Sequence, residues 1–321
     1  MENKERIKTI MYGIAVGDAI GFPHEFQPIT RKITGMKDHS WMNSYKGINT
    51  LIPSGFWTDD TSMSLLLLQS LKRRKQHDPL DQLYSYLRWY ENGYMSCMHK
   101  QAFGLGGRTV ACLKKFSSEG MKLNFDEMPL NQGNGSLMRV GAVSMYFLSF
   151  DHENPNKPNF KKTIDCFKMG VESSKTTHDI ALCNQICGLQ AALVLHNVLC
   201  PPSSPAARLH NFISITSFFI EKNMIYDEVF LTWFENEQYK NKPVNPTGYV
   251  LDTFHTAIYS FLNADNFHHG MLMCANFGGD CDSNCAVYGA LAGSIFDFGT
   301  IPKKWILKLQ KKELINSVLD L

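Results

Sequence analysis

The sequence has no uninterrupted apolar run of about 18 residues, so no membrane-spanning helix is expected from it. It also has almost no charge bias. A net charge of +2 over 321 residues argues against nucleic acid or an anionic membrane as partner. Asp18 interrupts the short apolar stretch that follows the charged segment 1–8, which argues against a secretory signal. The nine cysteines are odd in number, scattered, and form no CxxC pair; reduced thiols in a cytoplasmic compartment are expected. Cys183/Cys187 and Cys281/Cys285, each four apart, read as small core residues in preference to zinc ligands. No series of alternating strands is visible either. That leaves an all-α chain, a single compact multi-helix domain over 1–321.

Helical spacing is what the chain has in abundance. Ile7, Ile10, Met11 and Ile14 mark a helix over 6–20, with Gly13 and Gly17 four apart for close contact with another helix. Asp78-Pro79 opens a helix with an apolar face from Leu80 to Tyr90, ended by Gly93. Further helices are expected over Val140 to Leu148, 161–174, Ile180 to Leu199, from Leu209, from Val250 and over 265–275. The small residues Ala286, Gly289, Ala290, Ala292 and Gly293 suit a last core helix pressed against its neighbours. Residues 25–56 show no period and read as a lid-like loop. The segment 302–321 reads as one basic amphipathic surface helix, with Trp305, Leu307 and Leu309 among lysines.

Two clusters of oxygen side chains stand out. Thr58, Asp59 and Asp60 open one helix, and Asp280, Asp282 and Ser283 follow the glycines 278 and 279. Each cluster alone is explained by helix capping and dipole charge. Together they are a donor set for hard cations such as Mg²⁺, able to hold two ions about 3.5–4 Å apart through a shared carboxylate. The Gly-rich turn Phe103–Thr109 and the segment Gly133–Arg139 also precede helices and offer backbone N–H groups to an anion. Neither a P-loop nor a dinucleotide-binding βαβ unit is supported, since the first turn lacks the GK[ST] ending and a preceding strand. His178, taken alone, is a packed residue at a helix start.

GIAVGDAIGFPHEF (13–26), WTDDT (57–61), GNGSLMR (133–139), TTHD (176–179) and GGDCDS (278–283), in this order, resemble the ADP-ribosylglycohydrolase family, over about 7–300. The resemblance implies an all-helical fold and a binuclear Mg²⁺ centre, with Mn²⁺ as a substitute. The metal ligands would be Thr58, Asp59, Asp60, Asp280, Asp282 and Ser283. The catalytic residues would be Glu25, Asp59 and Asp282, with Glu25 on a mobile loop. Phe103, Gly104, Gly106, Gly107, Thr109, Asn134, Gly135, Ser136 and His178 would contact the ADP-ribosyl group. The implied reaction is hydrolysis of the glycosidic bond between ADP-ribose and an acceptor: an arginine or serine side chain of a protein, or a small conjugate. Two other readings compete, a non-catalytic ADP-ribose-binding or crystallin-like relative and another Mg²⁺-dependent phosphohydrolase. Cys281 and Ser283 stand where threonines are usual in the family; no carboxylate is lost.

Overall fold

The computed structural model describes residues 3–43, 48–98, 100–120, 132–150, 160–243 and 246–321. Fourteen α-helices are seen among the described residues. The first seven are α1 (Asn3–Gly21), α2 (Asp59–Arg74), α3 (Pro79–Asn92), α4 (Gly107–Glu119), α5 (Gly141–Ser149), α6 (Phe160–Lys175) and α7 (Ala181–Leu199). There follow α8 (Pro205–Glu221), α9 (Glu228–Glu235), α10 (Val250–Leu262), α11 (Phe267–Ala275), α12 (Cys281–Ile295), α13 (Lys303–Lys308) and α14 (Lys312–Leu319).

The hub is the pair α1 and α12. Their backbones touch because the residues where they cross have no side chains. A Cβ on Gly13 would overlap the Gly289 carbonyl, and one on Gly17 would overlap the Cys285 carbonyl. Arg6 bolts the far end, donating from Nη1 to the carbonyls of Gly293 (3.2 Å) and Phe296 (2.7 Å). Both helices are buried along most of their length, and α2, α5, α7, α10 and α11 pack around them. By length and composition α7 could cross a membrane, but 94% of its apolar window is buried inside the protein; it is a core helix. Its polar residues meet core partners: Gln190 Nε2 donates to the Val287 carbonyl, and the Ala191 carbonyl accepts from Ser144 Oγ.

Several ends follow the sequence rules. Asp78 caps α3, accepting from the Asp81 amide, and Gly93 closes it at φ 65°. Ser204, Asp227 and Asn266 cap α8, α9 and α11.

Two expectations are corrected. Within 25–56 lie two short antiparallel strands, β1 (His39–Asn43) and β2 (Ile48–Ile52), with His39 opposite Ile52. Strands of five residues without an apolar/polar alternation leave no periodic signal. The C-terminal segment is two helices, not one. The chain leaves the helix at Leu309 and turns through Lys311 at φ 51°. It is also not a solvated helix: Trp305, Leu309, Ile315 and Val318 are buried, while Leu307 is exposed. The break is held by the segment before α2. Gln310 N donates to the Gly55 carbonyl (2.9 Å), and Trp57 Nε1 donates to the Gln310 carbonyl (2.9 Å).

Candidate active site

A cavity of about 400 Å³ opens where α1, α2, α4 and α12 begin or end. That size falls within the range of small-molecule sites. One end is acidic, lined by Glu25, Asp59, Asp60, Asp280, Asp282 and Ser283. The other is lined by Gly106, Gly107, Arg108, Thr109, Gly135 and His178.

The acidic end is built by a residue that the sequence reading placed in the 13–26 motif and in a break of an apolar run, without giving it a task. Asp18, on α1, is wholly buried. Its carboxylate accepts from the amides of Thr58 (2.9 Å) and Thr61 (3.0 Å) and from both their hydroxyls, at 2.9 and 2.6 Å. It thereby caps α2 from a different helix, and the Thr58 side chain makes no cap of its own. Asp59 and Asp60 are therefore released from the capping role the sequence allowed them. At α12 the outcome is similar: Asp280 precedes the helix without capping it and accepts instead from Asn134 Nδ2 (2.9 Å).

Two glycines shape the approach. Gly279 has φ 66°, and the Pro246 carbonyl occupies the place a Cβ would take. Its own carbonyl accepts from the Phe26 amide (2.7 Å), which ties the residue after Glu25 to this turn. Gly104, at φ 87°, leaves room for the Asp59 carboxylate; a Cβ there would lie 2.5 Å from Asp59 Oδ1.

Oxygens of Asp18, Asp60 and Asp282 lie within 4.8 Å of one another, as do those of Glu25, Asp280 and Asp282, so Asp282 is common to two groups. Burial raises the pKa values of Asp59, Asp60 and Asp282 well above the ordinary carboxylate range, and neighbouring carboxylates raise them further. Burial, then Asp280 and Asp18, lifts Glu25 to about 8. Burial lifts Asp18 to about 6 against the four hydrogen bonds that favour its charge. The charges that act on Asp59, Asp60 and Asp282 are all carboxylates, and Asp60 Oδ1 is buried without a hydrogen-bond partner. Such a set is relieved either by protons or by a bound cation, and its geometry could hold one. Its donors are oxygens alone, which fits Mg²⁺ or Mn²⁺ and not zinc.

At the other end, α4 starts at Gly107 with Gly106 before it and no side-chain cap, so its first turn faces the cavity. Arg108 Nε donates to the Thr177 carbonyl (3.2 Å). His178 is 2% exposed, and burial followed by Arg139 and Arg108 pushes its pKa well below the usual imidazole value. Asn134 joins the two ends, its amide donating to the Gly248 carbonyl and its Nδ2 to Asp280 and Thr253.

Of the residues singled out from sequence, Thr58, Phe103 and Ser136 sit one layer behind the cavity wall. The Thr58 hydroxyl is engaged with Asp18, and Phe103 packs edge-on against Phe22, ring centroids 5.2 Å apart. The Ser136 hydroxyl pairs with Ser174 Oγ (3.0 Å) and accepts from Cys187 Sγ. The others all line the cavity. Sequence reasoning gave no individual task to Asp18, Arg108 or Arg139, although each lies in a stretch it singled out, and it did not mention Gly248. For Asp18 a signal existed: one carboxylate inside an otherwise apolar helix needs a partner in the core.

A family model described as ADP-ribosylglycohydrolase matches residues 1–321. An ADP-ribosylarginine hydrolase Tri1 of Serratia proteamaculans is 26% identical, the match covering 99% of this chain and 79% of that one. Its counterpart from Pseudomonas putida is 27% identical, covering 98% and 76%. The ADP-ribosyl-[dinitrogen reductase] glycohydrolase of Rhodospirillum rubrum is 25% identical, covering 96% and 91%. A solved structure described as an ADP-ribosylglycohydrolase-related protein complex superposes with a TM-score of 0.75 at 27% identity, covering 99% of this chain and 96% of that one.

Proposed function

The chain belongs to the ADP-ribosylglycohydrolase family, and on that premise we propose that it uses Mg²⁺ to release ADP-ribose from arginine side chains of modified proteins. It is a glycosidic-bond hydrolase, as the family is. The relatives named above as arginine hydrolases support the acceptor. The observation that carries the reading is the two-ended cavity. One end gathers buried carboxylates with no cationic side chain acting on Asp59, Asp60 or Asp282, and the other offers the start of a helix, an arginine and a neutral histidine.

Cleavage at the anomeric carbon builds oxocarbenium character and needs an activated water. Mg²⁺ held by Asp59, Asp60, Asp280 and Asp282, with the Thr58 and Ser283 hydroxyls beside them, would supply Lewis-acid polarisation and a water of lowered pKa. The chain's own residues do the rest. Asp18 fixes the start of α2, so the carboxylates of Asp59 and Asp60 enter the cavity and do not cap. Glu25, half-buried at the mouth beside Asp280 and Asp282, is placed to exchange a proton with the water or the leaving guanidine. The first turn of α4 faces a diphosphate with its amides. Segment 25–56, which begins at Glu25, is assigned to acceptor selection. The nine cysteines are free thiols, eight of them buried, which supports a cytoplasmic setting.

Product analysis tests the proposal. Mg²⁺-dependent release of intact ADP-ribose and free arginine from ADP-ribosyl-arginine is expected. AMP with ribose phosphate would point to a phosphohydrolase, and ADP-ribose binding without turnover of any conjugate to a non-catalytic relative. Preference for ADP-ribosyl-serine would overturn the acceptor alone.

A further inference from the structure

Arg139 is fully buried, yet it lies outside the carboxylate cluster and outside the cavity lining. Its Nη1 donates to the Gly135 carbonyl (2.9 Å) and its Nη2 to the Thr177 hydroxyl (2.7 Å), with the guanidinium over the Tyr86 ring at 4.8 Å. The Thr177 hydroxyl lies in turn 2.8 Å from His178 Nδ1. Nothing in the metal or acceptor chemistry calls for this chain of three.

Donor counting gives it a direction. Arginine only donates, so Thr177 Oγ1 accepts from it. The hydroxyl proton then needs an acceptor, because Thr177 is fully buried and an unpaired hydroxyl there is costly. Among the described contacts His178 Nδ1 is the group in reach that can accept it, which requires that Nδ1 carry no proton. In a neutral ring the proton is then on Nε2. Arg139 and Arg108 both act against a charged ring. The Nε2 edge lies beside the Gly135 backbone, on the cavity wall, where a Cβ on that glycine would come within 3.2 Å of Nε2.

We propose that Arg139 is a positioning residue: through the Thr177 hydroxyl it holds His178 as the Nε2–H tautomer, which presents one neutral N–H donor to an anionic oxygen of the ADP-ribosyl group. The use made of that donor rests on the proposed function; the tautomer does not. A neutral donor suits this end of the cavity, since it recognises an oxygen without adding a charge between two arginines. It also leaves Arg139 with a task that a lysine, lacking the planar fork that reaches Gly135 and Thr177 together, does not fulfil.

The test is ¹⁵N NMR of the full chain labelled at histidine, with the His178 signals assigned by their loss in His178→Gln. At neutral pH without ligand, a bare Nδ1 and a protonated Nε2 are expected. A protonated Nδ1 or an imidazolium overturns the proposal. Thr177→Val removes the relay and Thr177→Ser retains it. In Thr177→Val the Nε2–H preference is expected to be lost, and ADP-ribose to bind about tenfold more weakly, the effect of one hydrogen bond to a charged group. Thr177→Ser is expected to stay within about twofold of the parent in affinity and to keep the tautomer. A Val variant with parental tautomer and affinity overturns the proposal, as does a Ser variant that loses both. Loss of affinity with the tautomer unchanged also overturns it, since a purely structural defect would do that. If the parent chain cleaves no ADP-ribosyl conjugate, the proposed function fails, whereas the tautomer still stands or falls by the spectrum.

Discussion

At the scale of single residues, the site depends on which carboxylate does which task. Asp18 is spent on the backbone and hydroxyls of Thr58 and Thr61, whereas Asp59, Asp60 and Asp282 are left facing one another. Asp282→Asn and Asp59→Asn should each lower Mg²⁺-dependent turnover at least ~100-fold while the folded circular dichroism spectrum persists, since each removes a carboxylate from the proposed cation site and little from the core. Unchanged turnover in both would remove the metal assignment. Asp18→Ala differs in kind. It strands two buried amides and two hydroxyls, which should cost roughly 3 kcal/mol or more in denaturant unfolding, on top of lost activity. Stability equal to the parent would mean that α2 does not depend on this cap. The sequence showed the acids at 59, 60, 280 and 282 by their clustering. It did not show that a distant carboxylate would take over the capping, because a cap is normally sought beside the helix it caps.

At the scale of elements, the contact of α1 with α12 sets the distance between Asp18 and Asp282. An alanine is better than glycine in a helix by about 1 kcal/mol, so propensity alone favours Gly17→Ala. Sterics oppose it: the new Cβ would overlap the Cys285 carbonyl, which is backbone and cannot rotate away. Overpacking of this kind costs about 1–3 kcal/mol, so a net loss of stability is expected, read as a lower unfolding midpoint. Gly299→Ala, with nothing within 4 Å of the added carbon, should change stability by less than about 0.5 kcal/mol. If Gly17→Ala proved as neutral as Gly299→Ala, the close approach of the two helices would be wrong. This contact was legible beforehand in the spacing of Gly13 and Gly17 and in the small residues after 285. The strand pair 39–43 with 48–52 and the break at Leu309 were not. Five-residue strands carry too few residues for a period. The break depends on a partner 256 positions away, Gln310 Nε2 donating to the Ser54 carbonyl.

At the scale of the whole molecule, three helices carry mutually repelling carboxylates into one buried place, so binding of the proposed cation there would be linked to folding. Carboxylates whose pKa is raised by folding hold more protons in the folded chain than in the unfolded one. Stability therefore falls as pH rises through the window from the ordinary carboxylate range to the raised values, about 8 for Glu25 and about 6 for Asp18. Histidines with lowered pKa, His178 among them, act with the opposite sign below the usual imidazole value, so the bare pH profile of stability mixes the two. The increment produced by Mg²⁺ separates them. The ion competes with protons for the carboxylates, not for His178, and its binding adds about 2.7 kcal/mol at one hundred times Kd. The rise in Tm between chelator and saturating Mg²⁺ should thus be larger at about pH 8 than at about pH 5, where protons already neutralise the cluster. In Asp282→Asn, which removes the carboxylate common to both oxygen groups, the increment should shrink at both pH values. An increment independent of pH, or unchanged in Asp282→Asn, would place cation binding somewhere other than these acids.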